Sequence, residues 1–303
     1  MKRLGDLIIK QSKVLLENKQ QAILCAVAFS ILPFASWLSV ALVALVTLRK
    51  GAKYGFEVLL PALVFHSVPL MMLVPLDSVL INTLITYIPC FIAALVLRKT
   101  VSLQMVSGAL FLQILALTAF VQAVAPNFIL NQFEQFKSIL LQYQDYQVLF
   151  NSSTEGINTL ILAQLFFGIQ ILSVILSTVV SLMCARSVQA KLFMPGAFRD
   201  ELLAFRSGKI AFLLLLGVSI AAYFQIAIAI TLLPFVLSYF AVSGFGLAYF
   251  ILARKRQVRI AVLLILLILL KPTFVLFAYL VLGTSDSLVN FRLYLPARVR
   301  EST

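Results

Sequence analysis

Apolar runs of about 20 residues, the length that crosses a bilayer, recur along the chain at 22–48, 55–75, 79–97, 102–125, 159–184, 210–228, 229–252 and 260–282. At about 1.5 Å per helical residue each can traverse a hydrocarbon core of about 30 Å. Polar positions are pressed into short gaps between the runs. The pattern predicts an all-α, polytopic transmembrane helical bundle of six to eight spans. Two stretches are amphipathic instead. In 1–20, Leu4, Ile8 and Leu15 share a helical face, with Lys2, Arg3, Lys10 and Lys13 elsewhere, as in a helix lying on the inner face of a membrane. In 126–158, Phe133, Phe136, Leu140 and Tyr143 recur among Gln132, Gln135, Gln142 and Gln144. That predicts an amphipathic helix on the outer face at about 128–150, either a lid over an outward-facing cavity or an interfacial helix packed on the bundle.

Charge sets the threading. Basic residues cluster at 2–19, 49–53, 98–99, 186–209, 254–259 and 292–300. With 186–209 and 254–259 in the cytoplasm, 98–99 and 49–53 fall there too, and Asp77 and the acidic 126–158 connection fall outside. The runs 22–48 and 260–282 resist this scheme, because a single crossing by each leaves both basic termini outside. Each carries a central proline, Pro33 and Pro272, and proline breaks the helix ladder and can turn the chain. Broken into hairpins, the two runs return both termini to the cytoplasm and leave only Lys137 and Lys271 elsewhere. For 22–48 both arrangements stay open; for 260–282 length favours one crossing. No connection is long enough for a soluble domain, so 1–303 reads as a single integral membrane domain. Within it, 1–20 is a cytoplasmic N-terminal segment, 126–158 an extracytoplasmic connection and 185–209 a basic cytoplasmic loop.

Composition narrows the function classes. Hydrophobic residues make up 62% of the 303 and charged residues 12%, with a net charge of +13. Topology explains that charge without a nucleic-acid partner, and no basic surface with interleaved aromatics is free of the membrane. The bilayer itself is the first partner. Cys25, Cys90 and Cys184 form no CxxC pair and read as structural thiols, not metal ligands. There is one histidine, and no HExxH, GxxxxGK[ST], GxSxG or DDxxD motif. An intramembrane enzyme needs acids or histidines converging at depth, so the expectation is a protein that is not an enzyme, with no catalytic residue, metal or cofactor.

A few polar residues inside the runs are candidates for binding. His66 lies between Pro61 and Pro69, where freed carbonyls could face a cavity; the alternative is a neutral imidazole bonded to a neighbouring helix. Gln104, Gln113, Gln122, Gln164, Gln170 and Gln225 are amides within runs, ordinary interhelical glue in the main. Gln113 and Gln164 are the deepest and are substrate-binding candidates beside His66. Lys271 precedes Pro272 at a run's centre, at an insertion cost of about 2.5–3.5 kcal/mol that a break, an acidic partner or an anionic ligand must offset. Arg199 and Arg206, each following a phenylalanine in the 185–209 loop, are candidates for coupling to a partner. Asp286 and Arg292 could pair within one short helix.

Three stretches carry a family likeness: TLRKGAKYGF at 47–56, FRDELLAFRSGK at 198–209 and LGTSDSLVNFR at 282–292. With Arg49, Gly51, Phe198, Arg199, Gly283, Asp286, Phe291 and Arg292 as matched positions, the chain resembles the YybS-like family of bacterial membrane proteins, a domain of unknown function. The middle stretch departs from the pattern. That family is distantly similar to the substrate-binding S-components of energy-coupling-factor transporters and to MreD-like cell-shape proteins. The first similarity implies a six-helix core with an outward-facing ligand cavity, working with a separate transporter subunit and an ATPase. The second implies a scaffold that recruits cell-envelope proteins and binds no small ligand. Either implies a multi-pass protein of the bacterial inner (plasma) membrane.

Overall fold

A computed structural model describes residues 2–32, 34–72, 76–125, 127–143, 147–148, 150, 152, 154–252 and 258–294. Pro33, Arg254 to Arg256, the basic residues beyond 294, and the side chains of 2–9, Asp77 and Arg259 lie outside that description. Among the described residues the regular elements are helices: α1 (Lys2–Glu17), α2 (Lys19–Ile31), α3 (Ser36–Lys50), α4 (Ala52–Met71), α5 (Leu76–Thr100), α6 (Leu103–Val124), α7 (Phe128–Leu140), α8 (Thr159–Phe193), α9 (Ala197–Ala204), α10 (Lys209–Tyr223), α11 (Ala227–Leu252), α12 (Val258–Leu270), α13 (Pro272–Leu288) and α14 (Phe291–Tyr294). Five are long and apolar enough to cross a membrane, or six if α9 and α10, bent by 52°, count as one span. The fold is that of a polytopic helical membrane protein. Packing divides it into two compact units, Met1–Gln113 with Ser173–Leu202, and Ile114–Leu172 with Leu203–Thr303.

The first unit is built around α3. Every residue from Ser39 to Leu48 is buried, and a helix apolar on all sides needs neighbours on all sides. Those neighbours include α2, α4 and α5. The run 22–48 is therefore two antiparallel half-length helices. Asn18 caps α2, its side chain accepting from the backbone N–H groups of Gln20 and Gln21. The small residues Ala22, Ala26 and Ser30 form the buried stripe of α2, which lets α3 come close enough for the Ser39 hydroxyl to donate to the Ala26 carbonyl at 2.7 Å. Helix α2 runs alongside α4: Lys19 pairs with Glu57 at 2.6 Å near one end, and His66 reaches Ser30 toward the other.

The basic stretches of this unit converge where α3 ends. Arg98 donates to the Thr47 carbonyl at 3.1 Å, Gln189 to the Leu48 carbonyl at 3.3 Å, and the Arg49 guanidinium lies 3.8 Å from the centre of the Phe193 ring. Gln189 thus serves a carbonyl at the helix end, and Arg98 is a second donor to the Thr47 carbonyl, which also accepts from the Gly51 N–H. Gly51 closes the turn at φ +101°, and a Cβ there would come within 2.8 Å of the Arg98 guanidinium, so the position suits glycine on two grounds.

In the second unit the dominant contact is α11 against α13, antiparallel. A Cβ on Gly244 would collide with the Tyr279 carbonyl, and one on Gly283 with the Phe240 carbonyl. The two backbones touch, the arrangement that small residues permit between membrane helices. The run 260–282 departs from the single crossing expected of it. It breaks at Lys271 (φ −143°, ψ 70°), and Pro272, which has no N–H to give, starts α13. The Tyr279 hydroxyl donates to the Leu264 carbonyl at 3.1 Å; an unbroken helix would hold those residues about 22 Å apart. One residue turns the chain, because the Lys271 N–H still bonds Leu267 and its carbonyl still accepts from Val275.

Two more expectations are revised. Gln225, expected inside the run 210–228, is the exposed turn between α10 and α11 at φ +60°; the chain turns a few residues before the boundary expected at 228–229. The amphipathic helix expected at about 128–150 is α7, and it closes earlier, at Leu140. Its Phe133 is buried against Phe166 at 5.8 Å between ring centres, and Phe136 stacks on the same ring at 4.5 Å. Gly283→Val should lower stability by about 1–3 kcal/mol, because the added carbons meet backbone that cannot move aside. Thermal unfolding in detergent measures this, and Gly217→Val, at a position with open space, should be close to neutral.

Candidate functional site

Four of the residues singled out from the sequence meet at one end of α13. Gly283 brings α13 against α11, and one turn further on Asp286 is 0% exposed. The segment between α9 and α10 delivers Arg206 and Ser207 to the same place. Arg206 Nε donates to the Asp286 carbonyl oxygen at 2.7 Å and Nη2 to the Ser287 carbonyl at 3.3 Å. Here an arginine serves as the C-terminal cap of α13, on carbonyls that the helix leaves open. Ser207 completes the joint: its N–H donates to the Ser243 hydroxyl at 3.1 Å and its own hydroxyl to the Gly283 carbonyl at 3.0 Å. Ser207, Ser243 and Ser287 are all 0% exposed.

Arg292, on α14, also approaches Asp286. Its Nε lies 3.4 Å from Asp286 Oδ2, and Arg206 Nε lies 3.9 Å from the same oxygen. Arg292 Nη1 donates to the Leu203 carbonyl, and its guanidinium stands 5.8 Å from the centre of the Phe250 ring. Burial pushes Arg292 below the usual arginine range; the Asp286 charge opposes this and the Arg206 charge adds to it. The three side chains carry one negative and two positive charges, a net positive cluster.

The hydrogen bonding of this cluster is incomplete. Both Asp286 carboxylate oxygens, Asn290 Oδ1, Arg292 Nε and Arg292 Nη2 are buried without a hydrogen-bond partner. Both arginines stand at ion-pairing distance from Asp286 Oδ2, Arg292 the nearer. Buried polar atoms of this kind are normally satisfied, by protein, water or a ligand. Asn290 and Ser207 were not singled out from the sequence. A polar residue just beyond an apolar run and a serine beside a glycine are too common to mark a site.

The other candidates sit elsewhere. His66 Nδ1 contacts the Ser30 carbonyl at 3.1 Å, and the ring meets Tyr87 edge-on at 5.4 Å. A carbonyl only accepts, so the proton of this bond is on Nδ1. Gln113 donates to the Ala109 carbonyl of its own helix at 3.3 Å. Gln164, buried, accepts from Gln122 at 3.2 Å and from the Thr231 hydroxyl at 2.7 Å. Lys271 is exposed at its turn. His66 and Gln113 belong to the first unit, Gln164 and Lys271 to the second. Arg199 lies in the first turn of α9, half-buried, in the first unit with Arg49 and Gly51; Arg206 belongs to the second. Comparison with protein-family models, curated proteins and solved structures finds no match.

Asp286→Asn should destabilise the protein by about 3 kcal/mol, since it leaves two partly buried guanidinium groups without their counter-charge. Gln164→Leu removes glue between uncharged groups and should cost about 0.6 kcal/mol, up to roughly 1.7. Thermal unfolding of the two variants side by side checks the ranking.

Proposed function

We propose that this protein is the membrane-embedded, substrate-binding component of a transport system. The observation that carries the reading is the pair of broken apolar runs, α2 with α3 and α12 with α13, one in each unit. Interrupted helices at membrane depth cost unsatisfied backbone unless they are buried in protein or line a water-filled cavity, and transporters use such breaks to build polar sites. His66 on the Ser30 carbonyl is a polar group held at one such break. The chain has no nucleotide-binding motif, so the energy comes from a partner subunit and ATPase. No catalytic chemistry is assigned to it. Membership of the YybS-like family is part of the same proposal, supported by Gly283, Asp286 and Arg292 falling in one cluster.

Both hairpins enter from the cytoplasmic side of a bacterial inner membrane, and α4, α5, α6, α8, α10 and α11 cross it. This arrangement keeps the basic stretches on one side. It is also economical for Lys271. An arm the length of α12 penetrates about 20 Å, which brings the lysine within snorkelling reach of the opposite headgroups. A test uses single cysteines at Lys10, Lys53 and Leu293 in a cysteine-free background, labelled with a membrane-impermeant maleimide. All three should label from the same, cytoplasmic face; labelling of positions 10 and 293 from the face opposite position 53 would establish single crossings.

A scaffold for cell-envelope proteins is the second reading. It is favoured by Gln164, whose carbonyl oxygen is engaged by Gln122 and Thr231. Native mass spectrometry of the gently extracted protein separates the two. A co-purifying ATPase or a reproducible small-molecule adduct is expected; stoichiometric envelope proteins on a ligand-free bundle would replace transport with scaffolding.

A further inference from the structure

We propose that the cluster around Asp286 is a binding site for a zwitterion, with a primary ammonium at Asp286 and Asn290 and an oxyanion at Arg292. The proposal stands whether or not the chain transports a solute. It rests on the atoms left open. Three buried oxygens, two on Asp286 and one on Asn290, lack a donor, and two buried N–H positions, Arg292 Nε and Nη2, lack an acceptor. A simple anion would satisfy the arginine nitrogens and be repelled by a carboxylate 3.4 Å from one of them. A simple cation would satisfy Asp286 and be repelled by two guanidinium groups. A primary ammonium has three N–H donors, and an attached carboxylate or phosphate accepts from a guanidinium with charge-assisted geometry. A ligand carrying both charges supplies donors to the open oxygens and acceptors to the open N–H groups at once, where a simple ion serves one set and is repelled by the other.

The surroundings fit such a ligand. Asn290 and Arg292 lie in the short segment where α13 gives way to α14, and both are partly exposed, so the cluster has an accessible rim. It sits at the end of an apolar helix, beside arginines, the level at which a bilayer presents its headgroups. The ligand's source is an aminophospholipid headgroup or a free amino acid, and both present the same two charges.

The test uses the full chain in nanodiscs. One set contains phosphatidylethanolamine with phosphatidylglycerol, the other phosphatidylcholine with phosphatidylglycerol; the choline headgroup keeps both charges and has no N–H. Native mass spectrometry reads the lipid retained after release. Retention of phosphatidylethanolamine about tenfold over phosphatidylcholine is expected, on the scale of one charge-assisted hydrogen bond. In a parallel arm, L-alanine is added at millimolar concentration and the unfolding temperature is read. A retained lipid that alanine does not displace identifies the headgroup as the ligand; a raised unfolding temperature without lipid preference identifies the soluble zwitterion. Asn290→Leu removes one open oxygen without touching the charges, so it should fold and lose most of either response. Absence of both responses in the wild type, or responses unchanged in Asn290→Leu, would overturn the proposal, the open atoms then being met by water alone.

Discussion

A helix end leaves backbone carbonyls that need donors from elsewhere in the protein, and this requirement organises both units. Where α2 stops halfway, Ser30 is met by His66. Where α3 stops, Leu48 is met by Gln189, and Arg98 joins the Gly51 N–H on Thr47. Where α13 stops, Asp286 and Ser287 are met by Arg206. Long polar side chains from neighbouring helices thus cap helix ends that local residues leave open. The arginines near the ends of apolar helices that topology alone would explain have a second occupation as structural donors.

The other constraint is the distance between backbones. Half-length helices offer little surface, and in lipid no hydrophobic force draws them together. Close contact compensates. The Ala22, Ala26 and Ser30 stripe does this for α2, and Gly244 with Gly283 does it for α11 and α13. These tight contacts hold the ends in register, so that Ser207 can reach both Ser243 and the Gly283 carbonyl.

Much of this was legible in the sequence, at the level of single segments. The apolar runs, the helical class and the mismatch between charge and single crossings at 22–48 and 260–282 follow from hydropathy and Lys/Arg placement. Pro272 marked the break, although length argued for one crossing, because a run of that size fits either a span or two folded arms. What could not be read was convergence. Arg206 and Asp286 are 80 positions apart and His66 and Ser30 are 36 apart, and no local pattern encodes such pairs. Gly283, Asp286 and Arg292 stood out as a motif, and Arg206 as a basic loop residue with a different role. Their meeting depends on how α11 and α13 cross.

That crossing also limits what second-site genetics can achieve. When a bulky substitution collides with a side chain, a smaller neighbour elsewhere can restore fitness. At Gly244 and Gly283 the obstacle is main chain, which no codon change can shrink. Revertants of lesions at these two positions should therefore be true reversions to glycine, with intragenic suppressors nearly absent. In a library of random variants the pair would stand out as positions without compensation.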